Sequence, residues 1–164
     1  MTHALLLAAT VVIRTFNYGQ VPPDDLAHAR DTADRAFHHA GISLQWIDCA
    51  VPTRSFSETG PSTVDDGRST LDNGPSCLTP LREGVDFVLR LMHSTPPTGA
   101  ISPRRVPMGS SLLDIDARAG ALTTVDSDAV LEIARAAGAE FPTLLGRAIA
   151  HEIGHLLLGR SGHS

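Results

Sequence analysis

Apolar positions cluster, alternate and recur along this chain in ways that divide it into short elements. Residues 11–16 (VVIRTF) are β-branched and aromatic, the composition of a strand, and Asn17 to Gln20 supplies turn chemistry after them. Pro22, Pro23, Asp24 and Asp25 then open a helix. Proline is tolerated where the first N–H groups lack partners anyway, and carboxylates suit the positive end of the helix dipole. Leu26, Ala29, Ala33, Ala36 and Phe37 follow at three- and four-residue spacing as one apolar stripe, and Gly41 stands where a left-handed cap belongs. Ile42, Leu44 and Trp46 alternate with Ser43 and Gln45, which predicts a half-buried strand from Ile42 through Asp48, ending at Cys49.

Residues 50–80 are rich in Ser, Thr, Pro, Gly and Asp and predict a long irregular loop. Residues 85–92 (VDFVLRLM) predict an apolar strand near the middle of a sheet. Pro96, Pro97, Gly99, Pro103 and Pro107 mark a second irregular connection. After it, residues 110–115 and 121–125 predict two short strands around Arg118, Ala119 and Gly120, paired as a hairpin or at an edge. Ser127 or Asp128 can cap a helix through Ala137, closed by Gly138, and Phe141, Pro142 and Thr143 open a final helix. Strand, helix, several strands, then helices is the order of an α+β sheet with packed helices rather than of a regular alternation.

A length of 164 residues suits one domain that buries its own core, expected here over residues 11–164. The net charge of −5 and the lack of any Lys/Arg run exclude the electrostatic footprint of a nucleic-acid or anionic-membrane binder. Residues 4–13 (ALLLAATVVI) have the length of a signal-peptide apolar region, without a basic residue before it. Residues 1–10 are therefore read as a residual leader fused to the first strand, with no membrane span expected. Cys49 and Cys77 flank the polar loop. They form either one disulfide or two buried thiols, and the first alternative implies a secreted or extracytoplasmic setting.

The chemistry concentrates at His151, Glu152, Ile153, Gly154 and His155. Two imidazoles four residues apart lie on one helical face and can reach one metal ion. Catalytic zinc takes three protein ligands and keeps one position open, so a third ligand is needed. Downstream stand only LLLGRSGHS, with no Asp or Glu, which leaves His163 as the third ligand; Gly159 can end the helix with positive φ and turn the chain back toward the metal. Glu152 stands beside the pair, where its carboxylate can take a proton from an activated water and pass it to a leaving amine. Leu156, Leu157 and Leu158 are expected to pack beneath the helix. His28, His38, His39 and His93 lack partners at ligand spacing and are read as surface, packing or capping residues. No Gly-x-Ser-x-Gly elbow or phosphate-cradling glycine motif occurs.

His151-Glu152-x-x-His155, Gly159 and His163 together resemble the zincin-type zinc metallopeptidases, in particular the metzincins, with the glycine and third histidine set later than in the common pattern. The preceding strand, helix and strands are similar in order to the N-terminal part of that fold. The resemblance implies a zincin-like mixed sheet with a C-terminal active-site helix, one Zn²⁺ on His151, His155 and His163, Glu152 as general base, and a peptide or protein substrate paired with an exposed sheet edge at residues 110–115 or 121–125. Metzincins also carry a methionine turn after the third histidine. The methionines here are Met1, Met92 and Met108, so the stretch is expected to be truncated ahead of that turn. A zincin-derived zinc-binding or interaction domain without turnover is the alternative, and a zinc that only fastens the C-terminal tail is a third.

Overall fold

The computed structural model describes residues 9–51, 75–93, 107–114 and 119–160. Residues 1–8, most of the two irregular connections, and His163 lie outside the described residues.

Among the described residues five strands form one mixed sheet in the order β2-β1-β3-β5-β4. They are β1 (Ala9–Asn17), β2 (Ile42–Cys49), β3 (Asp86–Met92), β4 (Gly109–Asp114) and β5 (Ala119–Asp126). β1 pairs in parallel with both β2 and β3, β3 pairs in parallel with β5, and β4 runs antiparallel on β5. The fold is therefore α+β, with β3 central as its apolar run predicts. Among the described residues β4 is the last strand of the sheet, while β5 is enclosed between β3 and β4, so the edge falls on the 110–115 strand rather than on 121–125.

The helices are α1 (Pro23–His38), a single turn α2 (Pro75–Leu78), α3 (Ser127–Ala137) and α4 (Phe141–Leu158). α2 interrupts the stretch expected to be irregular. Proline begins α1 and α4, as the sequence implies. α3 is capped one residue earlier than expected: the Asp126 carboxylate accepts from the N–H groups of Asp128 and Ala129, so the last residue of β5 supplies the cap that Ser127 or Asp128 was expected to provide. Gly41 takes φ +73, but only after α1 has ended at His38.

One face of the sheet contributes Val11, Ile13, Phe87, Leu89, Leu91 and Val125 to the core. Against it pack Leu26, Ala29, Ala33 and Phe37 of α1 with Leu145, Ile149, Ile153 and Leu156 of α4. Two expected core positions are exposed. Ala36 lies at the margin of the α1 stripe, and Leu158, 72% exposed, is the last residue of α4 and has turned past the sheet. α1 and α4 touch closely because Gly146 has no side chain: a Cβ there would stand 2.4 Å from the Ala29 carbonyl oxygen and 2.6 Å from Thr32 Cβ. Backbone cannot yield as a side-chain tip does, so Gly146→Ala is expected to cost about 1–3 kcal/mol of stability, read as a lower urea midpoint. An unchanged midpoint would mean that the helices separate freely.

On the opposite face, Arg14 and Asp86 form a buried ion pair at 3.0 Å, with only 5% and 4% of their surfaces exposed. Arg14 also donates to the carbonyls of Thr79 and Pro80, and Arg82 donates to Asp86 from its side chain and its backbone. A disulfide between Cys49 and Cys77 fastens α2 to the end of β2, just ahead of the carbonyls that Arg14 uses. No helix of the described residues is long and apolar enough to cross a membrane.

Candidate metal centre

α4 is buried along Leu145, Ala148, Ile149, Ile153 and Leu156, and that packing fixes its rotation. His151 faces solvent, His155 is half-buried, and Glu152 points into the protein with 8% of its surface exposed. A helix advances about 100° per residue, so His151 and His155 stand about 40° apart around the axis, and Glu152 about 60° beyond His155. The pair therefore shares a face, with the carboxylate on its inner flank.

The two imidazoles converge edge to face, their centroids 4.6 Å apart and their planes at 84°. Their Nε2 atoms stand 3.1 Å apart. His155 Nδ1 lies 2.7 Å from the carbonyl oxygen of Arg160. A carbonyl carries no proton, so Nδ1 is the donor, and in the neutral ring Nε2 presents its lone pair toward His151. Gly159 makes this contact possible. At φ +59 it ends α4 in the left-handed conformation, and the following carbonyl folds back onto the last histidine of the helix. A backbone carbonyl holding the far nitrogen is one of the common ways a ligating imidazole is oriented.

Two nitrogens on one tetrahedral zinc, each about 2.0–2.1 Å from it, stand roughly 3.3 Å apart. The Nε2 atoms, within hydrogen-bond distance of each other at 3.1 Å, stand close to that spacing. Among the described residues no third His, Cys, Asp or Glu gathers with the pair, and His163 lies outside them.

Glu152 is held by β4. Ser111 Oγ lies 2.7 Å from Glu152 Oε2 and 3.0 Å from the Glu152 backbone carbonyl. Gly109, on the same face of β4, leaves the space that the carboxylate occupies. The sequence placed Ser111 only within the 110–115 strand offered as a peptide edge and left Gly109 just outside it, and neither was linked to Glu152.

Two clefts, of about 510 Å³ beside Leu156, Leu157 and Phe87 and of about 500 Å³ between Tyr18, Val21 and Leu26, are lined by none of His151, Glu152 and His155. The histidine pair thus stands apart from both, on the helix that crosses behind the edge strand. His93 pairs with Asp128 in the first turn of α3, His39 contacts the Arg35 carbonyl, and His28 approaches Thr143.

Comparison with protein-family models, with curated proteins and with solved structures returned no match.

Proposed function

We propose that this chain is a zinc-dependent peptidase of zincin type, with His151, His155 and His163 as ligands and Glu152 as general base. The convergence of the two Nε2 atoms at 3.1 Å, with His155 oriented by the Arg160 carbonyl, carries the reading. Imidazole donors favour zinc over the oxygen-seeking divalent ions. When bound, zinc supplies Lewis acidity toward water and toward a peptide carbonyl.

The protein's own groups supply the rest. Glu152 accepts a proton from the attacking water and returns it to the departing amine. β4, the last strand of the sheet among the described residues, is where an extended peptide would add, and Gly109 and Ser111 bring that strand against Glu152. A peptide added to β4 would therefore run past the carboxylate. The Cys49–Cys77 disulfide supports an oxidising, extracytoplasmic setting for this activity.

The test is incubation of the full chain with zinc and a mixed peptide library, followed by mass spectrometry. Cleavage that stops on chelation and returns with zinc is expected. Zinc bound without cleavage of any peptide would favour a binding domain without turnover.

A further inference from the structure

A glutamate on a helix has three side-chain torsions, and α4 alone does not choose among them. β4 does. The Ser111 hydroxyl reaches both the carboxylate of Glu152, at 2.7 Å, and the backbone carbonyl of the same residue, at 3.0 Å. Its third neighbour is Thr123 Oγ1 at 3.1 Å, a hydroxyl that is almost fully buried. Thr123 donates to the Ser110 carbonyl at 3.1 Å, so its proton is committed elsewhere. The backbone carbonyl has none to give, and Ser111 Oγ stands as the donor to Glu152.

Two residues earlier on the same face, Gly109 completes the slot. A Cβ there would stand 2.7 Å from Cγ, 2.8 Å from Oε1 and 2.9 Å from Cδ of Glu152. One residue therefore leaves room for the carboxylate, and the other fastens it.

We propose that Ser111 and Gly109 are positioning residues for the general base, setting where the Glu152 carboxylate stands relative to the reacting water. This rests on the reading of Glu152 given above. A purely structural hydroxyl, satisfying a buried acid, would contribute stability and leave turnover of the folded protein unchanged.

The experiment compares the zinc-loaded full chain with Ser111→Ala, Ser111→Thr and Gly109→Ala, using four readouts: zinc stoichiometry, thermal unfolding, kcat and KM on a cleaved peptide, and calorimetric affinity for a peptide hydroxamate. Ser111→Ala is expected to lower kcat about 10–100-fold, the range for groups that orient a metal site, with KM and zinc stoichiometry unchanged. Hydroxamate affinity should fall with kcat, and Ser111→Thr, which keeps the hydroxyl, should restore both. Gly109→Ala should resemble Ser111→Ala. Unchanged kcat and hydroxamate affinity in a zinc-loaded, active Ser111→Ala protein would overturn the assignment while leaving the peptidase reading intact. If the parent chain binds zinc but cleaves nothing, hydroxamate affinity decides: weaker binding by Ser111→Ala supports the positioning role, and equal binding overturns it. A parent chain that binds no zinc overturns both readings.

Discussion

Replacing Glu152 with Gln is expected to lower peptide hydrolysis by about 10²–10⁴-fold, the usual contribution of a general base, while zinc content stays at the parent level. Gln matches Glu in shape, and its amide oxygen still accepts the Ser111 hydroxyl that lies 2.7 Å from Glu152 Oε2. The slot beside Gly109 remains filled, so α4 keeps its place against β4. The ability to take up a proton is what disappears. Initial rates on a cleaved peptide, with metal analysis of the same samples, separate loss of the base from loss of the ion. Retention of the parent rate would remove Glu152 from the chemistry.

The second large effect concerns stability. Asp86→Ala leaves the Arg14 guanidinium, 5% exposed, facing, among the described residues, the Thr79 carbonyl and hydroxyl and the Pro80 carbonyl. Removing one partner of a buried ion pair costs about 3–5 kcal/mol, because the remaining charge stays desolvated. Arg82 also bonds Asp86, but its side chain is 66% exposed, so Arg82→Ala should cost no more than about 1 kcal/mol. Urea unfolding of the two variants gives the comparison, and equal losses would contradict the buried pair.

The same site predicts a pH dependence. Burial pushes the Asp86 carboxyl up, yet hydrogen bonds from Arg82 and Arg14 and the charge of Arg82 outweigh it, holding the group below its ordinary 3.8. The unfolded chain binds the proton more readily than the folded one. The stabilisation is therefore complete above that ordinary value and is lost as pH falls through the lower folded value. Asp86→Asn should flatten the stability curve in that acid range.

The motif in α4 was legible because its meaning is local. Two histidines one helical turn apart share a face whatever the rest of the chain does, and Gly159 announced the turn that follows. The apolar runs of β1 and β3 and the stripe of α1 were equally readable. What escaped depends on distant partners. Arg14 interrupts an apolar strand, and only the fold shows that Asp86, 72 residues away, receives it. Ser111 looked like an ordinary strand residue, and Gly109 stood just outside the predicted strand, until β4 was seen lying against α4, with Glu152 41 residues beyond Ser111. The edge assignment needed the whole strand order, since a hairpin of β4 and β5 presents either strand equally well by itself. The cysteine pairing was likewise open until the fold brought the two Cα atoms within 5.8 Å.

The decisive measurement is zinc content per chain in the purified full-length protein, beside His151→Ala, His155→Ala and His163→Ala prepared in the same way. The convergent Nε2 pair predicts one zinc ion per parent chain, lost with either helix histidine and lost or strongly weakened with His163→Ala. No zinc in the parent chain, or equal zinc in the His151 and His155 variants, would contradict the metal centre and the peptidase built on it.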